Sequence, residues 1–239
     1  MFTQCKNSNP KTEVARIFNI DNNKKRVVNK TLFWFKIMPL MSLNQLKLID
    51  IFLSDISMQH QEKTIFAIEK KDFEYLIGVD RIKNDKLDNL VESLNKICVV
   101  TGANREDYHI FSILKVEFNE RTKERFIKMC INEKANWMFF SKNLRMITYP
   151  LKNTLSIKST YSFMMYSYLC HNRFKKNWTE NIDILKELFG CEKEKAYEEY
   201  YRFNSRLLKK VCDEINEKTS LKYKYSHKKD STKIEFSII

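Results

Sequence analysis

Glycine and proline are scarce in this chain, which has three of each in 239 residues. So few turn residues favour helices with short connections and exclude collagen-like, linker-rich and turn-dense all-β architectures. Two of the glycines, Gly78 and Gly190, each follow a short segment with an apolar stripe, and glycine suits the left-handed position after a helix C-terminus. The spacing therefore predicts a helix, a glycine turn and a second helix in each half of the chain.

The first half has the element order of a winged helix-turn-helix domain. Ser42 is a candidate N-cap for a helix that reaches Met58, because apolar residues recur there at intervals of three and four. Apolar periodicity, β-branched runs and polar turns predict the other elements. They are a strand over 64–68, helices over 70–77 and 84–96, and strands over 97–101, 108–118 and 125–132.

The same order returns in the second half, so the sequence predicts an α+β protein of two tandem winged-helix domains. The predicted elements are a helix over 159–174, a strand over 178–182, a helix over 183–189, a long helix to 218, and strands over 221–226 and 233–238. The predicted division is a flexible arm over 1–30, a first domain over 31–150 and a second domain over 151–239. Because each half has its own apolar stripes, we expect each to hold its own core.

The predicted helix over 42–58 carries more apolar residues than one face needs. Leu46 and Leu53 lie on its main apolar face, whereas Leu48 and Ile51 lie off that face. The second face predicts a further contact, with another domain or with another chain. For these four leucines and isoleucines we favour core packing, and the alternative is a homodimer surface.

The charge balance predicts a polyanionic partner. The chain has 43 Lys and Arg against 30 Asp and Glu, a net charge of +13, and this field attracts nucleic acid. A lysine-rich composition inherited from an AT-rich genome is the alternative explanation. We expect a cytoplasmic protein without membrane association, because the sequence shows no signal peptide and no apolar run as long as a membrane span.

Sequence motifs for catalysis, cofactors and metals are absent. There is no Walker A loop or dinucleotide fingerprint, the six cysteines are scattered, and the four histidines are isolated. Paired carboxylates such as Glu198 and Glu199 fall in highly charged helical segments, where solvated surface is the usual role. The sequence therefore predicts a protein that is not an enzyme, that needs no cofactor or metal, and whose cysteines stay reduced.

The helix predicted around 197–216 divides into an apolar half and a basic half. In a recognition helix the outer residues point at base edges, and flanking lysines reach phosphates. Arg202 and Arg206 each offer two parallel donors for O6 and N7 of guanine, which lysine cannot copy. An ordinary solvated face is the alternative, but the preceding glycine turn and the following hairpin, with Lys228 and Lys229 at its tip, favour DNA binding.

The second half also resembles a known family, the initiator Rep proteins of iteron-carrying, theta-replicating bacterial plasmids. The resemblance lies in Tyr161 and Ser162, in Trp178 before the LKELFG segment at 185–190, and above all in RFNSRLLKKVCDEINEKT at 202–219. The closing strands are also similar. Over 29–150, mainly the element order matches.

The resemblance implies two winged-helix domains around a pseudo-twofold axis, the second of which binds iterons, the directly repeated sites in double-stranded origin DNA. It also implies that monomers open an AT-rich region and recruit the host helicase machinery, and that dimers formed through the first domain repress their own gene. Carried over by position, the base-reading residues are Glu199, Arg202, Ser205 and Arg206, and Lys209 is a phosphate contact. The helix and wing patterns add Lys210, Lys228 and Lys229 as expected phosphate contacts.

The equivalent helix of the first half offers an auxiliary DNA contact near its start, for which a generic polar turn is the alternative. The residues are Arg81, Lys83, Asn84 and Lys86. The sequence thus predicts a plasmid replication initiator that binds directly repeated DNA sites. A winged-helix repressor of a palindromic operator is the alternative function. A basic enzyme or an RNA-binding protein has less support, because catalytic motifs and an RNP-type aromatic sheet signature are missing.

Overall fold

The computed structural model describes residues 16–56, 65–101, 106–140, 145–228 and 231–239. The elements of the first half are, in chain order, β1 (Arg16–Ile17), β2 (Val27–Thr31), α1 (Trp34–Ile37), α2 (Leu43–Asp55), β3 (Phe66–Glu69), α3 (Lys70–Ile77), α4 (Asn84–Asn95), β4 (Cys98–Thr101), β5 (Glu106–His109), β6 (Phe111–Asn119), β7 (Glu124–Ile131), α5 (Asn136–Phe140), β8 (Met146–Pro150) and α6 (Leu151–Ser156). Those of the second half are α7 (Thr160–Asn172), β9 (Asn177–Asn181), α8 (Ile182–Phe189), α9 (Tyr200–Phe203), α10 (Lys209–Lys218), β10 (Tyr223–His227) and β11 (Lys233–Ile238).

Each half is a winged helix, in which two helices joined by a glycine turn pack beside a small, mainly antiparallel sheet. In the first half the sheet order is β1-β3-β7-β6, and the antiparallel pair β6–β7 forms the wing. In the second half the order is β10-β11-β9, and β10–β11 forms the wing. The two predicted winged-helix domains are confirmed.

Local sequence signals act where they were predicted. The Ser42 side chain accepts a hydrogen bond from the Gln45 backbone N–H, and the Gln45 side chain accepts one from the Ser42 backbone, which is a capping box at the start of α2. Gly78 and Gly190 end α3 and α8 with φ of +73° and +64°. These are left-handed conformations in which a Cβ would be strained. The predicted bounds of α3 are those observed.

Three predicted strands or helices need correction. The strand predicted over 64–68 begins at Phe66 and ends at Glu69, with residue 64 outside the described residues. The strand predicted over 108–118 is divided between two strands. β5 ends at His109 and pairs with β4, whereas β6 begins at Phe111 and pairs with β7. The helix predicted to reach Met58 ends at Asp55, and Met58 lies outside the described residues.

The predicted flexible arm over 1–30 is wrong for residues 16–30, and residues 1–15 lie outside the described residues. β1 pairs parallel with β3, and β2 pairs antiparallel with β8, so both segments complete sheets of the folded chain. Val28 and Lys30 are buried. The polar composition of this segment hid two short strands whose partners lie far away in sequence.

Helix α2 is buried on every side within a single chain. Leu46, Leu48, Ile51 and Leu53 are all at most 2% exposed, and α2 contacts β2, α3, α4, α6 and α7. Core packing, the favoured interpretation, is therefore confirmed for these four residues. Because α2 also contacts α7 of the second half, a dimer formed through these four buried residues would have to open the core.

The expectation of a separate core in each half is wrong. The described buried apolar side chains form one cluster that includes α2 and α4 of the first half and α7, α10 and β11 of the second. Helix α7 explains this continuity, because it packs against α2 and β8 as well as against α8 and α10.

A buried ion pair lies at this junction. Lys30 Nζ of β2 is 3.3 Å from Asp50 Oδ1 of α2, with both side chains at most 1% exposed. The Tyr149 hydroxyl donates to the same carboxylate, 3.1 and 3.0 Å from its two oxygens, and the Ser167 hydroxyl of α7 lies 3.4 Å from Tyr149 Oη. Burial raises the pKa of Asp50 and lowers that of Lys30. Removing either side chain would therefore leave the other charge buried without a partner, which is strongly destabilising.

Candidate nucleic-acid interface

The recognition helix of the second half runs from Tyr200 to Lys218 and consists of α9, a π-helical segment (Asn204–Leu208) and α10. Its inner side is buried, through Phe203, Leu207, Leu208, Val211 and Ile215. Burial of this apolar stripe stabilises the helix against the domain and leaves the opposite side to solvent. The helix begins later than the predicted residue 197, because Tyr197 belongs to a separate 3-10 turn (Lys195–Tyr197).

Every residue predicted for the outer side of this helix is exposed. These residues are Glu199, Arg202, Ser205, Arg206, Lys209 and Lys210. Glu199 Oε2 lies 3.3 Å from Arg202 Nε. The contact is made by Nε, so the two Nη groups of Arg202 stay available for a bidentate contact with a base. Glu199 can therefore orient Arg202, a role that spacing alone did not assign.

The π-helical segment is a feature that the sequence reasoning missed. It adds one residue to the turn at Asn204–Leu208, which rotates the outer residues after it by about 100° relative to a regular helix. The Tyr225 hydroxyl of β10 donates to Asn204 Oδ1 at 2.6 Å, and burial raises the pKa of Tyr225 to about 12, so the hydroxyl keeps its proton. The segment thus changes the register between Arg202 and Lys209.

The wing is attached to the start of the recognition helix. The rings of Tyr200 and His227 stack with centroids 3.6 Å apart, and His227 Nε2 donates to the Ser231 carbonyl at 2.7 Å. His227, one of the four histidines isolated in sequence, thus has a packing role, and its contact with Tyr200 was not predicted. The sequence features that could have indicated this contact are an aromatic residue at the start of the helix, Tyr200, and a histidine at the end of β10.

Lys228 stands at the exposed end of the wing. Its side chain is 81% exposed, and its Nζ lies 3.3 Å from Glu235 Oε1. Such a surface ion pair contributes little to stability and can exchange for a phosphate. Lys229 lies outside the described residues.

Tyr201 is a further candidate that the sequence reasoning missed. It is 77% exposed, beside Arg202 at the start of the recognition helix. A large exposed aromatic ring next to a basic face is the signal that could have identified it.

The predicted auxiliary group of the first half, Arg81, Lys83, Asn84 and Lys86, is exposed around the start of α4. The preceding turn is held by Glu74, whose carboxylate accepts from the Ile82 backbone at 2.6 Å and from Lys70 at 3.1 Å. Of the four residues, Asn84 lines a cavity of about 260 Å³ together with cations from α3 and the first wing. Those cations, Lys70, Lys71, Lys123 and Arg125, were not singled out from the sequence.

Other kinds of site have little support in the described part of the chain. No cluster of three or more His, Cys, Asp or Glu side chains that could hold a metal ion occurs among the described residues. The described cysteines are all free thiols. None of the described helices has both the length and the apolar character needed to span a membrane.

Comparisons with known proteins agree with this architecture. Residues 32–170 match the family model of Initiator Replication protein, WH1, and residues 181–238 match that of Initiator Rep protein, WH2. No curated protein sequence matches the chain. The structure of the Pi initiator protein in complex with iteron DNA superposes with a TM-score of 0.73 at 17% identity, covering 90% of this chain and 98% of that one.

A second structure, of RctB domains 2-3, has a TM-score of 0.42 at 12% identity, covering 85% of this chain and 81% of that one, which is too low to assign a common fold. The first similarity establishes the fold, and the two family models together span both winged-helix halves. The chain is therefore a member of the initiator Rep protein family of plasmid replication, with the WH1 and WH2 domains of that family in tandem.

Proposed function

We propose that this protein initiates plasmid replication by binding double-stranded DNA at iterons of the origin, and that it does so without catalysis, cofactor or metal. The observation that carries this proposal is the recognition helix, on which Arg202 and Arg206 are exposed while the opposite side is buried in the domain core. A rigid helix with a free basic side is the part of a winged helix that enters a major groove. The Pi initiator, which has this fold, was solved with iteron DNA.

Base reading is assigned to the start of this helix. Arg202 and Arg206 contact guanine edges through paired donors, and Ser205 contacts a base edge or its neighbouring phosphate. Glu199 orients Arg202 across the 3.3 Å contact and is also placed to accept from a cytosine amino group. These side chains supply the sequence preference.

Affinity comes mainly from phosphate contacts. Lys209 and Lys210 follow the reading residues along the exposed side of the helix, Lys228 lies at the end of the wing, and Lys229 follows Lys228 in the sequence. The first domain adds the auxiliary group Arg81, Lys83, Asn84 and Lys86. Both contributions neutralise backbone charge, so they raise affinity for any duplex and depend strongly on salt.

The biological consequences follow from binding at an origin. We propose that the bound protein promotes opening of an AT-rich region and recruits the host helicase machinery in the cytoplasm. We also propose that it represses its own gene where a binding site overlaps the promoter. A homodimer formed through α2 is not part of this proposal, because the four residues considered for it are buried within the chain.

Footprinting on DNA that flanks the gene tests the proposal. Protection of several short direct repeats, with log K falling against log salt by about 0.9 per phosphate contact, is the expected result. Protection of one palindrome would instead support the repressor alternative. A flat salt response, or equal affinity for unrelated duplexes, would overturn sequence-specific binding.

A further inference from the structure

A groove lies between the two halves on the side of α8 that faces away from the recognition helix. Its volume is about 580 Å³, and its apolar lining comes from Leu32, Phe35, Tyr168, His171, Ile184 and Leu188. Lys186 of α8 faces the opposite way, since its Nζ donates to the Glu198 carbonyl just before the recognition helix at 3.2 Å. Ile184 and Leu188 each lie two residues from Lys186, about 200° around the helix.

Exposed apolar side chains occur on the wall of this groove and close in sequence to its lining residues. Ile184 is 48% exposed on its wall, Leu40 is 65% exposed next to the lining residue Pro39, and Phe174 is 56% exposed one turn beyond His171. Single exposed apolar residues are ordinary, but several at one concave site mark a binding surface.

The surroundings of the groove are positively charged. Lys36 lines it, and Arg145 Cζ lies 3.9 Å from the centroid of the Phe174 ring, with Lys175 Nζ at 5.9 Å from the same centroid. Burial together with Arg145 and Lys175 lowers the pKa of His171, so this side chain is neutral at neutral pH and adds to the apolar lining. Among the described lining residues, the one carboxylate is that of Glu187.

We propose that this interdomain groove docks an amphipathic, acidic segment of a partner protein. Bulky apolar side chains of the segment pack between Phe35 and Ile184, and its carboxylates face Lys36, Arg145 and Lys175. An apolar groove with a basic rim suits this chemistry, because the carboxylates steer association while the apolar anchors supply the affinity. A nucleic acid fits less well, since Arg145 already covers one face of the Phe174 ring.

The position of the groove leaves the DNA-binding surface free. Strand β9 pairs with β11 from Asn181, opposite Lys233 near the wing tip, to Asn177, opposite Ser237. Phe174 and Lys175 precede Asn177 and therefore lie at the end away from the wing tip. Four residue steps of a strand separate the two ends by about 13 Å. This distance applies to the Phe174 and Lys175 rim, whereas the α8 wall of the groove is separated from the recognition helix by α8 itself, whose Lys186 contacts Glu198 on the other side. We therefore expect DNA and the segment to bind at the same time.

The experiment measures fluorescence anisotropy of a labelled helical peptide of about 14 residues, with leucine or phenylalanine at i, i+3, i+4 and i+7 and glutamate elsewhere. The full chain should bind it saturably and more tightly than a scrambled peptide of equal composition. Ile184→Glu should weaken binding at least about tenfold, as expected for a central anchor, and Arg145→Glu should weaken it less and reduce its salt dependence, as expected for a rim charge. Ile17→Glu, at a 61% exposed isoleucine on β1, is the matched control and should bind like the unmodified chain.

Thermal melts confirm that each variant folds, and a parallel titration with duplex repeats separates the two proposals, since Ile184→Glu should bind DNA normally. Equal affinity for the designed and scrambled peptides, or an Ile184→Glu variant that binds the peptide normally, would overturn the docking proposal. So would oligothymidylate that binds tightly and displaces the peptide, because the groove would then be a nucleic-acid site.

Discussion

The two helix–glycine–helix units share one scaffold and differ in what their outer surfaces carry. In the first unit α4 presents Asp85, Asp88 and Glu92 with Lys86 as its one cation. In the second unit the first turns of the recognition helix present Arg202, Arg206, Lys209 and Lys210. Both helices bury an apolar stripe in the same way. The comparison teaches that the stripe determines the fold of the unit, whereas the outer residues determine its partner.

The wings differ in the same sense. Cations around the first wing are held by carboxylates, as in Lys128 with Glu117 at 2.6 Å and Arg125 with Asp88 at 3.2 Å. The Lys228 pair with Glu235 in the second wing is longer, at 3.3 Å, and more exposed. Among the described residues, a phosphate must compete with fewer ion pairs at the second wing. This difference supports the proposed division, in which the second unit reads bases and the first unit is auxiliary.

The glycine turns differ in their surroundings. Around Gly78 a Cβ would meet nothing within 4 Å, whereas at Gly190 it would lie 2.7 Å from Cβ of Pro39. Pro39 belongs to the first half, so the second turn is also a contact between the halves. Both positions therefore require glycine for the left-handed backbone, and Gly190 is also required for close packing against Pro39.

The largest predicted effect tests whether the two units fold as one block. Asp50→Ala should reduce the free energy of unfolding by about 3–5 kcal/mol, because it leaves Lys30 buried without a partner. The shared core predicts one cooperative transition in urea rather than two. The double variant Lys30→Met with Asp50→Leu is the control and should regain most of the loss. Two separate transitions in the unmodified chain would show that the units are independent.

The next effect concerns the two glycine turns. Gly78→Ala should cost about 1–2 kcal/mol from the left-handed backbone alone, and Gly190→Ala should cost about 1–3 kcal/mol more from overpacking against Pro39. Urea unfolding of both variants measures the difference. Equal losses would mean that the contact between the halves relaxes without cost.

The recognition helices can be compared directly in DNA binding. Arg206→Ala should lose about 1–3 kcal/mol of binding free energy and relax preference at one base pair. Lys86→Ala in α4 is the matched variant and should weaken binding to all sequences by a smaller, similar amount. Titration against a set of single-base variants of the repeat measures both. A change of base preference in Lys86→Ala would reverse the division of roles.

The smallest effect concerns the wings. Lys228→Ala should weaken all duplexes alike and reduce the slope of log K against log salt by about 0.9, the value for one phosphate. Lys123→Ala in the first wing should change the slope less, because the first domain has only an auxiliary role in the proposed DNA complex. Salt titrations of both variants on one duplex give the comparison. A larger change in Lys123→Ala would place the first wing closer to DNA than the second.

Much of the local structure follows from patterns within a few residues. The bounds of α3, the capping box at Ser42 and the left-handed glycines were predictable, because each depends on propensities and hydrogen bonds between near neighbours. The exposed basic side of the recognition helix was predictable as well, since helical periodicity alone separates it from the apolar stripe. The roles proposed for its residues remain predictions.

Other features depend on partners that are distant in sequence. β2 contains Lys30, which looks like a residue of a polar arm until Asp50 and Tyr149 are brought to it. The stacking of Tyr200 on His227 and the bond from Tyr225 to Asn204 likewise join the helix to the wing. Periodicity contains no information about such pairs.

By itself, the sequence determined two winged helices, their glycine turns and a basic recognition helix, because apolar spacing and backbone preferences act locally. Only the tertiary structure decided that the two halves share one core, that α2 is enclosed by both, and that the missing Cβ of Gly190 leaves room for Pro39. It also decided the π-helical offset and the groove between the halves. The reason is physical: burial and close packing depend on which surfaces meet, and that choice is made by the whole chain at once.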